Sequence, residues 1–573
     1  MSEILFQYQK VAPTTWAYLS SLLIIGLYFK FNRFWSVRNL DLCLVILLAP
    51  GLLFVYYGEQ LSRRPVVATA PSTPGNDLGT PGNELTTPGD GLGTPSTETA
   101  EPPVPGPPAN SSTNSPTSDG SDADSKSNSP GNSPGTSGKS PAPENSAAGA
   151  PAALDSPAAK PAPAPVAANT NLQPPREEQM VLMPKLSPEK ARSVMHFGYV
   201  WLLSVSLVLL IRLLCDPTMV RRPLLEPNLS NGGLLFIGCA LLVFLMANVL
   251  ASEVSTDDLS GPQGARAIAQ MRDDGSTKYT YLGPGYYFLH LLPQIPTLPF
   301  GGITKNDPRL AYAPAAKTMA IISHLAVVIA LVIVGLWHFD NIKLGIGAAA
   351  LYLMLPYTAQ MTGHVDHVLP SALMLWAIVF YRRPAIAGIF VGLSVGVVYY
   401  PIFLLPLWIS FYWQRGVFRF LAGLLGAVAI TAISLAFVSE DMASFWSKIR
   451  QMFGLFMPNM DADQLRGIWG RSFGWDPIWR LPCIALSICL SALFALWPAQ
   501  KNLGTLLSCS AAMMLAVQFW HGYGGGTYIA WFMPLMLLTI FRPNLEDRIA
   551  LTVLGEGWLS KRRARLAPLG RAA

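Results

Sequence analysis

Charged residues are scarce in this chain of 573 residues. Asp, Glu, Lys and Arg make up 13% of it, whereas 51% of the residues are hydrophobic. Soluble domains usually carry about 25% charged residues, so this shortage excludes an ordinary soluble domain and predicts a membrane protein. The formal net charge of +6 is small for the length. Because the basic residues cluster beside apolar segments, no nucleic-acid partner is expected.

The chain is also poor in features that mark metal centres and secretion. Its six cysteines lie in or beside apolar segments without metal-ligand spacing, which indicates buried small hydrophobic residues. The first apolar run, Trp16–Phe29, follows few positive charges and precedes no small-residue cleavage site. It is therefore predicted to be a membrane span and not a cleaved signal peptide.

Long and short apolar runs follow one another through the rest of the chain. A span needs about 20 residues to cross a 30 Å core upright, and several of these runs are shorter. They predict an all-α, polytopic transmembrane helical bundle of about 11–13 membrane helices, some short and paired. The runs are Trp16–Phe29, Leu40–Tyr57, Phe197–Leu214, Gly232–Leu250, Lys317–Trp337, Ile342–Pro356, His367–Tyr381, Ala385–Val397, Pro401–Trp413, Phe418–Phe437, Pro482–Trp497, Leu503–Trp520 and Thr527–Phe541.

Composition divides the chain into four parts. The segment 64–190 is dominated by Pro, Gly, Ser, Thr and Ala, and it has too little apolar surface to form a core, so we predict a long disordered insert. The four predicted parts are a two-helix membrane hairpin at 1–63, the insert at 64–190, a transmembrane body at 191–541 with outer loops 251–316 and 439–481, and a basic tail at 542–573.

Basic residues also predict the orientation. The basic run Lys561–Arg565 favours a cytoplasmic C-terminus. Counting spans backward then places the insert and the loop 251–316 outside. We expect a multi-pass protein of the cytoplasmic (inner) membrane.

Two basic pairs predict a helical hairpin. Arg382 and Arg383 should lie inside, and so should Arg415 and Arg419, yet the apolar segment between the pairs is interrupted at Tyr399–Pro401. A hairpin that enters the membrane and returns keeps both pairs on one side. Irregular backbone at that depth requires burial in protein or a cavity.

Carboxylates stand directly after one predicted span. Glu253, Asp257 and Asp258 follow Gly232–Leu250 and precede a helix-like segment, Gly264–Met271. A carboxylate here could act as a general base toward an acceptor hydroxyl or hold a metal ion. The alternative is that these residues cap a helix or are simply solvated.

A second polar cluster lies at the start of another span. His364, Asp366 and His367 could take part in substrate or divalent-cation binding, although so short a stretch seldom supplies a whole metal site. The alternative is a polar helix start at the membrane interface.

The remaining candidates lie in outer loops. Arg466 and Arg471 stand among tryptophans and could bind a lipid phosphate, or they could be solvated residues of an interfacial belt. His521, a further candidate for substrate binding, begins a glycine-rich turn that lacks the features of a phosphate-binding loop.

Two stretches carry a resemblance to a family. Ala265–Gly275 leads into a Pro/Tyr-rich run, Tyr281–Tyr287, and Ala387–Gly396 leads into a Tyr-Pro dipeptide. This pattern resembles GT-C glycosyltransferases, and in particular the polyprenyl-phosphate-dependent mannosyl- and arabinosyl-type enzymes, over Gly232–Phe541. The chain departs from the family's pattern at Tyr400, where a Lys is common, and in the Ser-Thr spacer before the acidic pair.

The resemblance implies an integral membrane glycosyltransferase. Such an enzyme moves a sugar from a polyprenyl-phosphate carrier to an acceptor at the extracytoplasmic face, with Asp257 or Asp258 as the base and Arg466 or Arg471 near the lipid phosphate. The implied partners are membrane lipid and a lipid-linked sugar donor, and Mg²⁺ or Mn²⁺ is a candidate cofactor.

Two alternatives of other classes stay open. One is a transporter or lipid flippase, against which the small number of ionisable intramembrane residues argues. The other is a non-catalytic membrane scaffold protein that uses the insert as its interaction arm.

Overall fold

The computed structural model describes residues 12–62, 188–219, 224–271, 281–294, 308–454 and 458–543. These residues form helices and short turns, with no β-strand among them, which confirms the all-α prediction. The helices are α1 Pro13–Tyr28, α2 Val37–Ser62, α3 Pro188–Cys215, α4 Asn231–Ala251, α5 Ser260–Gln270, α6 Pro284–Leu289, α7 Pro308–Trp337, α8 Ile342–Met354, α9 Pro356–Gln360, α10 Val365–Val379, α11 Pro384–Val397, α12 Leu405–Tyr412, α13 Val417–Ser434, α14 Met442–Met452, α15 Arg480–Leu496, α16 Leu503–Val517 and α17 Met533–Phe541.

Each of the thirteen apolar runs coincides with a helix, and the amphipathic helix expected after the acidic pair is α5. The predicted insert at 64–190 and basic tail at 542–573 lie almost wholly outside the described residues, so both stay predictions.

Six of the described helices are long and apolar enough to cross a membrane, which makes the protein a multi-pass membrane protein. They lie at Val37–Leu61, Glu189–Thr218, Asn231–Ala251, Ala311–Trp337, Val417–Phe437 and Pro477–Leu496. Shorter apolar helices accompany them at Ile342–Met354, Val365–Val379, Pro384–Val397, Tyr400–Tyr412 and Leu503–Val517.

The short helices α11 and α12 form the hairpin that the basic pairs predict. The Tyr412 hydroxyl, at the end of α12, donates a 2.6 Å hydrogen bond to the carbonyl of Tyr381, which precedes α11. Gly416, with φ +94°, lies against the ring of Pro384 at the start of α11. The chain thus returns to the level at which it entered, and the two basic pairs stand at the same end of the bundle.

Glycines bring α11 and α13 into close contact. A Cβ on Gly388 would collide with the carbonyl of Phe420, and one on Gly423 would collide with the carbonyl of Ala385. Small residues at such positions let two helix backbones approach, which is the main source of packing energy between helices in lipid. This contact anchors the hairpin whose tip lies beneath the candidate site.

The glycine contact gives a stability prediction. Gly423→Ala should lower the free energy of unfolding by about 1–3 kcal/mol, because its new Cβ meets backbone that must move. Gly426, one turn along the same helix, has nothing within 4 Å of its Cβ position. Gly426→Ala should therefore be neutral or stabilising by up to about 1 kcal/mol, from helix propensity alone. Unfolding of both variants in detergent checks this prediction, and equal effects would contradict it.

The N-terminal hairpin, α1 and α2, packs on the rest of the bundle. The buried Tyr28 hydroxyl donates to the carbonyl of Gly347 at 2.8 Å, and Trp201 Nε1 donates to the carbonyl of Leu47 at 2.8 Å. These bonds join the hairpin to α8 and α3.

A buried ion cluster joins both ends of the described chain. Asp216 is fully buried and accepts from Arg212 Nη1 at 3.0 Å and from Arg542 Nη2 at 2.6 Å. Arg212 Nε also donates to Asp41 Oδ1 at 2.7 Å. The cluster thereby connects α2, the end of α3 and the residue after α17.

Candidate functional site

A cavity of about 660 Å³ opens where several helix ends meet. Its walls come from the turn between α4 and α5, the start of α6, the start of α10, and the loops before α15 and α17. Its polar and aromatic lining residues are Asp257, Asp258, Gln263, Tyr281, Tyr286, His364, Asp366, His367, Gln464, Arg466, Tyr523 and Tyr528.

The two adjacent aspartates differ sharply in exposure. Asp258 is 5% exposed, whereas the Asp257 side chain is 73% exposed. A turn separates them in space: the Asp258 N–H donates to the carbonyl of Ser255 at 3.1 Å, and Ser260 Oγ donates to the carbonyl of Asp257 at 2.7 Å. Asp258 therefore presents its carboxylate to the cavity while Asp257 stays at the rim.

Asp258 forms an ion pair with His364 across the cavity. His364 Nδ1–H donates to Asp258 Oδ1 at 3.1 Å. Burial alone would lower the pKa of His364, but the hydrogen bond and charge of Asp258, with the charges of Asp366 and Asp257, raise that pKa to about 9. Burial raises the pKa of Asp258 above its usual value, and His364 opposes this shift. At neutral pH the imidazole is therefore cationic.

Asp366, in the first turn of α10, has different partners. The Tyr281 hydroxyl donates to Asp366 Oδ2 at 2.7 Å, and the Tyr528 hydroxyl lies 2.6 Å from that of Tyr281. Trp531 Nε1 donates to the Asp366 carbonyl at 3.0 Å. The Tyr281 phenol thus binds this second carboxylate directly, the Tyr528 phenol contacts that of Tyr281, and the Trp531 indole holds the backbone of Asp366.

The same turn of α10 supplies His367. Its Nδ1 lies 2.6 Å from the Tyr357 hydroxyl, and its ring stacks on Tyr528 with a centroid distance of 4.1 Å. The bond and the stacking fix the imidazole beneath Tyr528.

His521 lies behind the cavity wall and does not line it. The Tyr400 hydroxyl, at the hairpin tip, lies 2.6 Å from His521 Nδ1, and Tyr281 meets the imidazole edge to face. Burial, together with the charges of Arg480 and His367, holds the pKa of His521 well below its usual value. His521 is thus a neutral group that supports the wall.

The glycine-rich turn after His521 is held by one buried amide. Gln518 Oε1 accepts from the N–H groups of Gly526 and Tyr528 at 3.2 and 3.3 Å. This amide fixes the turn that carries Tyr523 and Tyr528. The extra glycines have a local reason, since Gly524 and Gly526 have φ values of +90° and +93°.

Stacked aromatic rings form one wall of the cavity. Tyr281 and Tyr523 stack with ring centroids 4.7 Å apart. Arg466 pairs with Tyr523 through the backbone, and its exposed Nη1 lies 3.4 Å from Asp257 Oδ2. Flat aromatic faces beside carboxylates suit a ligand with both apolar faces and hydroxyl groups, such as a sugar.

The hairpin tip supports this wall from below. Gly283 N–H donates to the carbonyl of Val397 at 2.7 Å, and Leu282 pairs with Val398. A Cβ on Gly283 would overlap the carbonyl of Gly396. The tip of the hairpin therefore fixes the position of Tyr281 in the cavity wall.

Three of the lining residues have the donor atoms of a metal site. Ligand atoms of Asp258, His364 and Asp366 all lie within 4.8 Å of one another. Carboxylate oxygens with one imidazole suit Mn²⁺ or Mg²⁺. The bound cation expected from the sequence stays a prediction.

The structure brings most of the predicted site residues into this one cavity. Asp257, Asp258, His364, Asp366, His367 and Arg466 all line it. His521 lies behind its wall. Arg471 lies outside its lining and pairs with Asp463 at the surface, 2.9 Å away. Glu253 is exposed and also lies outside the lining.

Sequence reasoning missed the tyrosines. Tyr281, Tyr523 and Tyr528 contribute two hydroxyls to the hydrogen-bond network and three rings to the wall. The sequence signal for Tyr281 is its position in the Pro/Tyr-rich run. The signal for Tyr523 is its position in the glycine-rich turn, and for Tyr528 its position just after that turn.

One family model matches part of the chain. Residues 295–519 match the family model of glycosyltransferase family 87, which indicates a membrane glycosyltransferase and is consistent with the GT-C type. No curated protein and no solved structure matches the chain. The matched segment contains His364, Asp366 and Arg466, whereas Asp258 precedes it and Tyr528 follows it.

Proposed function

We propose that this membrane glycosyltransferase moves a sugar from a polyprenyl-phosphate carrier to a hydroxyl acceptor in the cavity, at the extracytoplasmic face. The observation that carries the proposal is Asp258: a carboxylate at a cavity wall, paired with His364 and close to Asp366. A transfer site at helix ends also suits a donor whose lipid part stays in the membrane. The family match favours this function over the transporter and scaffold alternatives.

Asp258 acts as the general base in this proposal. Its carboxylate takes the proton of the acceptor hydroxyl, and the acceptor oxygen then attacks the anomeric carbon of the donor sugar. The bond between that carbon and the phosphate oxygen breaks, and polyprenyl phosphate leaves with the bonding electron pair. Burial raises the pKa of the Asp258 carboxyl and makes its carboxylate a stronger base than one in water, while His364 opposes this shift and orients the group.

Asp366 has a positioning role. Its Oδ2 accepts from Tyr281, so the carboxylate is held in one orientation. We assign it to binding a hydroxyl group of the sugar, with the stacked rings of Tyr281 and Tyr523 against a sugar face.

The donor class is testable with the purified chain in lipid vesicles. Sugars carried on polyprenyl phosphate should be transferred, whereas the same sugars on a nucleotide should not. Asp258→Asn serves as the inactive control. Transfer from nucleotide sugars alone would contradict the proposed donor. Donor added only to the outside of right-side-out vesicles tests the proposed face.

The ion pair and a bound cation predict different pH profiles. If the Asp258–His364 pair acts without metal, kcat/KM should fall as the pH rises through about 9, where His364 loses its proton. His364→Gln should remove that fall in rate at alkaline pH, and a chelator should leave the rate unchanged.

If Asp258, His364 and Asp366 hold a cation instead, the cation would orient the oxygens of the donor phosphate. The chelator would then abolish transfer, Mn²⁺ or Mg²⁺ would restore it, and the fall in rate near pH 9 would be absent.

A further inference from the structure

Four exposed arginines lie at the base of the hairpin formed by α11 and α12. Arg382 and Arg383 precede α11, Arg415 lies in the turn after α12, and Arg419 lies in the first turn of α13. Along α11 the distance from this base to the hairpin tip is about 20 Å, and the tip supports the cavity wall. The arginines therefore lie at the end of the bundle away from the candidate site.

Backbone contacts hold the two arginine pairs next to each other. The hydrogen bond from the Tyr412 hydroxyl to the carbonyl of Tyr381 closes the base of the hairpin. The Arg383 N–H donates to the carbonyl of Phe380 at 2.7 Å, and the Arg415 N–H donates to the carbonyl of Tyr412 at 3.0 Å. Both turns that carry the arginines are thus fixed by the fold.

These arginines have no acidic partner in the part of the chain that the structure describes. The ion pairs found there join other residues, and the sequence has no Asp or Glu between Asp366 and Glu440. Arg382 Nε lies 3.4 Å from the neutral hydroxyl of Tyr381. The base of the hairpin therefore carries concentrated positive charge that no carboxylate neutralises among the described residues.

Two exposed aromatic side chains accompany the arginines. Trp413 is 70% exposed and Phe418 is 84% exposed. Phe418 and Arg419 lie in the first turn of a helix that is long and apolar enough to cross a membrane, Val417–Phe437. Aromatic rings at the end of a membrane span usually lie at the level of the lipid headgroups. This depth favours a lipid over a soluble acidic protein as the anionic partner.

Membrane topology alone does not require this arrangement. The preference of basic residues for one side of the membrane depends on how many Lys and Arg the short loops carry. It does not require that two loops pack together, nor that their arginines lack acidic partners. At the cavity end, by contrast, Arg466 and Arg471 each face an aspartate.

We propose that the base of the hairpin binds the phosphate headgroups of anionic membrane lipids. The guanidinium groups of the four arginines bind the phosphate oxygens, for which their fork of N–H groups is suited, and the two aromatic rings lie at the boundary with the acyl chains. Such binding stabilises the folded bundle, because only the folded hairpin brings the two arginine pairs together. The proposal does not depend on sugar transfer. A soluble phosphate ester has the same chemistry, and the lipid is the source to which we commit.

Titration of the purified full-length chain, in neutral detergent, with short-chain phosphatidylglycerol tests this proposal. The readout is the lipid concentration that gives half of the maximal rise in unfolding temperature, taken for each variant relative to its own lipid-free value. Arg415→Gln with Arg419→Gln should raise that concentration about 25-fold, or about fivefold for each arginine. Arg382→Gln with Arg383→Gln should have a similar effect. Arg415→Lys with Arg419→Lys keeps the charge and should stay within about fivefold of the wild type.

The matched control removes two exposed arginines from the cavity end of the bundle. Arg192 lies one turn before His196, whose Nε2 is 3.0 Å from the carbonyl of Ser472 in the loop before α15. Arg471 lies in the same loop. Arg192→Gln with Arg471→Gln removes as much charge as each hairpin variant and should bind phosphatidylglycerol as the wild type does.

Two further ligands separate the sources of the phosphate. Phosphatidylcholine with the same acyl chains has no net charge and should raise the unfolding temperature much less than phosphatidylglycerol. Glycerol 3-phosphate at the same concentration should give no rise. An equal rise with glycerol 3-phosphate would overturn the lipid assignment, and an equal rise with phosphatidylcholine would overturn the recognition of headgroup charge.

The variants decide whether the base of the hairpin is the binding site. If the control variant loses as much affinity as the hairpin variants, total charge explains the binding and the site is overturned. If both glutamine variants of the hairpin bind phosphatidylglycerol as the wild type does, the site is overturned as well. If one of them does not fold, the other decides.

Discussion

Asp258→Asn is expected to lower kcat by about 10²- to 10⁴-fold, the usual contribution of a positioned general base. Asparagine keeps the shape of the side chain and can still meet His364, so the cavity should stay intact. What it loses is the ability to take the acceptor proton. A radiolabelled transfer assay on reconstituted protein, with the unfolding temperature measured in parallel, separates this loss from misfolding.

Asp257→Asn is the matched comparison, one residue away. Its carboxylate is mostly exposed, and its ion-pair partner among the described residues is an exposed arginine at 3.4 Å. Exposed pairs of this kind contribute about 0–1 kcal/mol, so the rate should change by less than about fivefold. The assignment is wrong if Asp257→Asn abolishes transfer and Asp258→Asn preserves it.

Asp216→Asn is expected to lower the free energy of unfolding by about 3–5 kcal/mol, as when one partner is removed from a buried ion pair. The carboxylate is fully buried and shared by Arg212 and Arg542. Asparagine fills the same volume but leaves the buried guanidinium of Arg542 facing a neutral amide, whereas Arg212 keeps its bonds to Asp41. Because the cluster joins α2, α3 and the end of α17, its loss should loosen both ends of the described bundle.

The control for this variant is Asp463→Asn. Asp463 pairs with Arg471 at 2.9 Å, but both side chains are exposed. Its loss should change the free energy of unfolding by less than about 1 kcal/mol. Unfolding in detergent measures both variants, and similar values for the two would show that burial of the cluster does not matter.

The helices and the hairpin follow from local sequence. The length of each apolar run predicts the position of a helix. The preference of basic residues for the cytoplasmic side predicts that the chain turns back at Tyr399–Pro401, before any contact is known. The bond from Tyr412 to the carbonyl of Tyr381 confirms that return. Each of these features depends on residues close together in the chain, which is why periodicity and charge suffice.

The site depends on contacts that local patterns do not encode. Asp258 meets His364 across 106 positions, and Tyr281 meets Tyr528 across 247. Whether Asp257 or Asp258 is buried depends on one turn and on what packs against it.

The cavity can form only after all the segments that line it have been synthesised. Asp258 emerges early, His364 follows, and Tyr523 and Tyr528 come just before α17. Until that last described helix is inserted, Tyr281 lacks its hydroxyl partner and the cavity lacks one side. A chain stopped near residue 519, where the family match ends, would hold His364 and Asp366 in an open, incomplete site. The site of a newly made chain is therefore complete only when nearly the whole bundle has assembled.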